Sequence, residues 1–252
     1  MGTRLRKIAS SLAFITLVSA CGGGRDLWPN EGTVRFYDTQ FFRGNRLLGL
    51  LTFEGGLIYG FYQSDFSAPT YPEYTYAGFF VAQPAPQQGP TVRAGTEYNF
   101  DDGEVSAIRL ELGAQSGDNV FGTLTQVPTS AESTFSARES GNSQLATDPA
   151  SLPGTYAVQA RSPGASIKAT GVLDAAGNLS VGTGACAMEA KLSPRQFGNL
   201  YDVAATLAPN CNLGAGAFTG HAIQAFVTRN VYLLLTAPGQ GGVMLLLVPN
   251  AP

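Results

Sequence analysis

The stretch "VYLLLTAPGQGGVMLLLV", residues 231–248, decides how the rest of the chain is read. Two aliphatic runs, 231–237 and 243–248, flank "PGQGG", where proline withholds a backbone donor and glycines accept left-handed dihedrals. The predicted element is an antiparallel hairpin. A strand with one face in water alternates apolar with polar residues, and these two do not alternate. Both faces must therefore be covered, and the domain's own interior covers only one. We expect the N-terminal half of the chain to pack on the other, in preference to a partner protein or lipid. A lipid-embedded barrel is disfavoured because the other strands carry no sustained apolar outward stripe.

Working upstream, the same texture recurs at regular intervals. "TYAVQAR" (155–161), "ASIKATGVL" (165–173), "LSVGTG" (179–184), "CAMEAKL" (186–192), "LYDVAATL" (200–207) and "GAFTGHAIQAFV" (216–227) read as strands. Short connections such as "DAAGN", "SPRQFGN" and "APNCNLG" separate them. With the last hairpin this makes about eight short antiparallel strands over residues 154–252. A meander barrel or a sandwich follows, since either leaves few exposed edges.

The N-terminal half, residues 32–138, reads in the same way with longer loops. Strands are predicted within 33–38, 46–53, 57–63, 74–82, 97–100, 105–112 and 119–127, while "QPAPQQGP" (83–90) is a surface loop. A polar, low-complexity segment, 139–153, reads as an interdomain linker. The fold class is thus all-β, with two antiparallel β domains. "GLLTFEGGLIYG" (49–60) and "GVLDAAGNLSVG" (171–182) share one frame of Gly and Leu, which describes a hairpin in each half and raises the question of duplication.

At the other end of the chain, Arg4, Arg6 and Lys7 precede an apolar stretch from Ile8 to Val18 and two small residues, Ser19 and Ala20. Eleven residues at helical rise cover only about half of a bilayer core, so the segment reads as an export signal and not a spanning anchor. The ending Val18-Ser19-Ala20-Cys21 resembles the lipobox of bacterial lipoproteins. That resemblance implies that residues 1–20 are a signal peptide, and that Cys21 becomes the acylated first residue of the mature chain. It also implies a tether over 21–31 and a membrane held through the N-terminal lipid. Gly22 stands where inner-membrane members carry Asp, which points to the outer membrane of a Gram-negative envelope. Extended, the tether from Gly22 to Glu31 reaches at most about 35 Å, and Trp28 either meets the headgroups or covers the base of the first lobe. The layout of lipobox, short tether and two β lobes is also similar to that of Gram-negative surface lipoproteins that bind host or nutrient proteins.

With Cys21 acylated, Cys186 and Cys211 remain, and an oxidising compartment suits a single disulfide between them. Without residues 1–20 the chain holds 12 Lys and Arg against 18 Asp and Glu, which gives no electrostatic reason to expect nucleic acid. Charge is uneven: residues 22–149 carry 7 basic and 15 acidic side chains, residues 150–252 carry 5 and 3.

Few chemistries remain available. His221 is the only histidine, so no multi-histidine metal site and no second His-based catalytic pair can form; between small residues on a strand it reads as structural or solvated. Asp101, Asp102 and Glu104 in "NFDDGEV" fit a turn better than a calcium loop. No metal, cofactor or catalytic residue is assigned. Between Phe36 and Phe80 there are fourteen Phe and Tyr residues. Neighbours such as Phe79 and Phe80 point to opposite faces of a strand, which sends some rings outward. Tyr71, Tyr74 and Tyr76 lie in or beside a Pro-containing loop, where a ring is less easily buried, and with Phe79 and Phe80 they make the candidate binding surface. The function expected is a non-catalytic binding or scaffolding lipoprotein with an envelope or extracellular protein partner. Two other readings stand beside it: a carrier of a small apolar ligand in a barrel cavity, and a carboxylate-dependent hydrolase.

Overall fold

The computed structural model describes residues 34–41, 48–63, 76–113, 118–182, 184–225, 228–239 and 241–250. The first body contains β1 (Val34–Phe41), β2 (Leu48–Phe53), β3 (Ile58–Gln63), β4 (Tyr76–Pro84), β5 (Val92–Asn99), β6 (Glu104–Leu112), β7 (Asn119–Gln126) and β8 (Glu132–Glu139). The second contains β9 (Gly154–Ser162), β10 (Ala165–Leu173), β11 (Asn178–Val181), β12 (Met188–Pro194), β13 (Leu200–Leu207), β14 (Gly216–Gln224), β15 (Val231–Ala237) and β16 (Gly241–Pro249). Each set follows chain order as an antiparallel meander and closes into a barrel. Closure is made by β8 on β1, with Glu139 opposite Tyr37, and by β16 on β9, with Leu247 opposite Val158. The second domain is thus a barrel and not a sandwich, and the first is a barrel as well. Among the described residues, helical geometry is confined to 3-10 turns of three or four residues.

The period of two sorts side chains between the inside and outside of each barrel. Tyr37, Leu50, Ile58, Tyr62, Phe80, Leu110, Leu124 and Phe135 fill the first interior. Val158, Leu179, Leu192, Tyr201, Phe218, Leu233, Leu235 and Leu245 fill the second. Large rings need space on the neighbouring strand, and glycine supplies it. A Cβ on Gly60 would lie 2.2 Å from the Phe80 ring, and one on Gly122 would lie 2.3 Å from the Phe135 ring. These glycines are seats for aromatic side chains.

The two apolar faces of the last hairpin are now accounted for. Leu233, Leu235, Val243, Leu245 and Leu247 point into their own barrel, whereas Leu234, Met244 and Leu246 point out and join a second buried cluster with Phe53, Tyr59, Phe61, Phe79 and Tyr98 of the first barrel. The N-terminal lobe is therefore what covers the outer face. Fully burying a large apolar side chain stabilises by about 1.5 to 3 kcal/mol, so the three outward residues of β15 and β16 alone make the seam a substantial part of the fold.

Residues 139–153 are not a free spacer. Ser143 Oγ accepts from the Phe36 amide at 2.8 Å and donates to the Phe36 carbonyl at 3.2 Å, which straps the segment to β1. Further on, the Gly198 amide donates to Leu145 O at 2.7 Å and the Thr147 amide to Gln196 O at 3.2 Å. Leu152 then enters the second core, and the Tyr156 hydroxyl donates to its carbonyl. The low-complexity sequence is a strap because Ser143 Oγ and the backbone groups of Leu145 and Thr147 find partners in β1 and in the connection between β12 and β13.

The repeated glycine frame falls on the same hairpin of each barrel, β2–β3 and β10–β11, but one residue out of step. Thr52 faces Ile58 in the first, and Leu173 faces Leu179 in the second. In the shared frame Leu51 corresponds to Leu173, yet Leu51 lies in the outer cluster and Leu173 in the inner one. A one-residue slip exchanges the faces of a strand, so the frame marks two hairpins of like shape and not equivalent positions.

An even number of antiparallel strands returns the chain to the end where it began. Val34, Glu139, Gly154 and Pro249 therefore all lie at one pole of their barrels. The barrels stand side by side in the same sense. At this chain-end pole a Cβ on Gly198 would lie 2.9 Å from Val34, and at the opposite pole one on Gly103 would lie 3.5 Å from Gly164.

Candidate functional site

The polar chemistry that the fold gathers is concentrated on the seam between the barrels. On β14, His221 leans out of the second barrel and is 8 % exposed. Its ring stacks on Phe53 with centroids 4.3 Å apart and meets Tyr59 edge-on at 5.0 Å. Asp202, its cross-strand neighbour on β13, places Oδ1 3.1 Å from His221 Nδ1 and accepts a 2.8 Å hydrogen bond from Arg195 Nε. The Arg195 guanidinium lies 5.3 Å over the Phe53 ring. His221 Nδ1 itself is buried without an aligned hydrogen bond. Burial dominates its titration and pushes the imidazole down to about 4; the Arg195 charge acts in the same direction, and Asp202 opposes both. The imidazole is neutral at pH 7, as burial between two aromatic rings requires. Tyr59 is pushed up to about 12, first by burial and then by Tyr98 and Asp202.

A second polar anchor lies toward the opposite pole. From β9, Arg161 donates through Nη1 to Tyr76 O at 2.6 Å and through Nη2 to Phe100 O at 3.3 Å. The same guanidinium pairs with Asp101 at 3.3 Å and lies 5.6 Å over the Phe100 ring. One planar fork thus satisfies two carbonyls and a carboxylate of the partner barrel, a geometry that lysine cannot reproduce.

Inside the first barrel, Glu97 is fully buried opposite Phe80. It accepts from the Tyr62 hydroxyl at 2.8 Å and from Gln126 Nε2 at 2.9 Å. A buried carboxylate needs such donors, and these two link β3, β5 and β7 across the interior.

The expected aromatic binding surface is corrected at three of its positions. Phe80 is in the first barrel's core, and Tyr76 and Phe79 are in the seam, at 7 %, 0 % and 0 % exposure for Tyr76, Phe79 and Phe80. Alternation placed Phe79 and Phe80 on opposite faces correctly, but the outward face is covered by β16, where a Cβ on Gly242 would lie 2.6 Å from the Phe79 ring. Tyr71 and Tyr74 lie outside the described residues, as do Cys21, Trp28, the signal segment 1–20 and the tether 21–31.

Cys186 and Cys211 form a disulfide between the connections that follow β11 and β13. The "NFDDGEV" segment is a turn: Asn99 Oδ1 accepts from the amides of Asp101 and Asp102 at 3.1 and 3.3 Å, and Asn99 Nδ2 donates to Asp102. Among the described residues no group of three His, Cys, Asp or Glu side chains is placed to hold a metal ion. Both barrel interiors are occupied by side chains, and two concavities, of about 590 Å³ beside Leu207, Pro209 and Gly216 and about 570 Å³ beside Phe121, Thr123 and Thr134, are open to the surface.

The sequence reads His221 as structural or solvated, and the structure places it in the seam. It is buried, but its aromatic partners lie more than 160 positions away, so no local pattern identifies them. What the arrangement does chemically is to join two bodies: rings and aliphatic side chains exclude water, while Arg161 and the His221–Asp202–Arg195 group fix the register. No family model, no curated protein and no solved structure matches the chain.

Proposed function

We propose that the chain is a lipid-anchored outer-membrane lipoprotein of a Gram-negative envelope, which acts as a non-catalytic binding or scaffolding protein. The observation that carries this reading is Val18-Ser19-Ala20-Cys21 behind a basic start and a short apolar run. A disulfide between Cys186 and Cys211 suits the oxidising side of a membrane. Filled barrels joined by a broad apolar seam give a stiff body with a large solvated surface, as a scaffold requires. The carrier reading needs an internal compartment, and the space where it would lie is taken by Tyr37, Tyr62 and Phe80 in one barrel and by Tyr201 and Phe218 in the other.

The anchor is tested by mass spectrometry of the protein from native membranes. The expected N-terminal peptide begins at Cys21 and carries a diacylglyceryl thioether; an unmodified Cys21 or retained residues 1–20 refutes it. The role is tested by crosslinking the acylated chain in intact envelopes, where one stoichiometric protein partner is expected. A small apolar molecule co-purifying with the protein, or turnover of a glycan or peptide lost on single Asp or Glu substitution, refutes the binding role.

A further inference from the structure

We propose that the molecule stands on the bilayer on the pole that carries its chain ends, so that the pole where β1, β3, β5 and β7 and, in the second barrel, β9, β11, β13 and β15 end faces away from the lipid. The inference rests on the anchoring reading and adds a direction to it. The direction comes from topology. The first described residue, Val34, the end of β8 at Glu139, the start of β9 at Gly154 and the end of β16 at Pro249 share one pole because each barrel has eight antiparallel strands.

One barrel alone would leave the other free to lie at any height. The seam removes that freedom. It is pinned at the chain-end pole, where Arg195 lies 5.3 Å over Phe53 and Gly198 abuts Val34, and at the opposite pole, where Arg161 pairs with Asp101 at 3.3 Å. The strap over residues 140–153 ties both bodies at the same pole, through Ser143 to Phe36 and through Leu145 to Gly198. Both barrels therefore present the same pole to whatever holds the chain before Val34. Twelve residues separate Cys21 from Val34, a reach of at most about 45 Å when extended.

The connection at residues 208–215 leaves from and returns to the far pole. Cys211 holds it through its disulfide to Cys186, in another far-pole connection. The chain-end pole is thus the one that meets the lipid, and the far pole faces solution.

The test uses the acylated protein beginning at Cys21 on phosphatidylethanolamine and phosphatidylglycerol vesicles, with single dye sites at Gln87→Cys or Ala175→Cys on the chain-end pole and Ala131→Cys or Ser166→Cys on the far side, all at exposed positions. Strands of eight or nine residues tilted in a barrel separate the two groups by about 20 Å in height. Energy transfer to a headgroup-labelled lipid is expected to be stronger for Gln87 and Ala175 than for Ala131 and Ser166, in both barrels. Failure of the acylated protein to float with vesicles overturns the anchoring reading, and this proposal with it. Flotation with equal or inverted transfer overturns the orientation alone.

Discussion

Acid should loosen the seam through one side chain. His221 has an ordinary value of 6.5 and a folded value of about 4, so between these pH values the unfolded chain binds a proton that the folded protein refuses. Stability from this group is therefore complete above pH 6.5 and is lost as pH falls toward 4. A difference of about 2.5 pH units corresponds to about 3 kcal/mol in full, of which about 2 kcal/mol is lost between pH 7 and pH 4.5. The other groups that face the ring are Asp202 and Arg195 from its own barrel, and Tyr59 beside Phe53 from the other. Of these, Asp202 tempers the effect by favouring the imidazolium. Because the chain has a single histidine, its ring protons can be assigned in an NMR titration without ambiguity. The expected midpoint lies near pH 4, and urea unfolding at pH 7 and 4.5 should show the loss in the native protein but not in His221→Gln. A midpoint between 6 and 7, or equal pH dependence in the two proteins, would refute the buried and neutral histidine.

Three further outcomes follow from the packing. Arg161→Ala should cost about 2 to 3 kcal/mol in urea unfolding by removing charge-assisted bonds from Tyr76 O and Phe100 O, and Arg161→Lys should recover less than half of it; full recovery would mean that charge alone matters there. Gly60→Ala should destabilise by about 1 to 3 kcal/mol because its Cβ would lie 2.2 Å from the Phe80 ring, with a smaller added cost in a Phe80→Leu background, and additivity of the two would show that the ring is not what excludes the methyl group. Replacing Cys186 and Cys211 by serine should cost about 3.5 kcal/mol for a closed loop of 25 residues, read as a lower urea midpoint, and an unchanged midpoint would show that the crosslink constrains nothing.

The elements most legible in the sequence were those whose inward side chains are all apolar. In β13, the inward residues Tyr201, Val203, Ala205 and Leu207 are buried between exposed Asp202, Ala204 and Thr206, which is the period of two in plain form. The strand without a legible sequence signal, β8 with "ESTFSARE", buries only Phe135 and Ala137. Its pairing with β7 and β1 makes it a strand, and two apolar side chains among eight residues do not announce that. Register was equally hidden: in the matching glycine frames at 49–60 and 171–182, Leu51 faces Tyr59 but its counterpart Leu173 faces Leu179, and local sequence does not encode the opposite strand's alignment.

The candidate site shows the same division. That Phe79 and Phe80 point apart follows from strand geometry; that the outward one is sealed follows from β16 of the other barrel lying against it. His221 sits in a strand by its own neighbours' pattern, but its cage of Phe53 and Tyr59 exists only once the barrels meet.

The amino-acid sequence by itself determined the β texture, the two-part division, the oxidisable cysteine pair and, in the two-faced hairpin at 231–248, the requirement that something cover its outer side. Those are consequences of side-chain polarity and backbone freedom at neighbouring positions. Barrel closure in both halves, the attachment of the linker to both barrels and the burial of Tyr76, Phe79 and Phe80 were decided only by tertiary structure. Each depends on which surfaces far apart in the chain exclude water together, and that free energy belongs to the pair of surfaces and to neither segment alone.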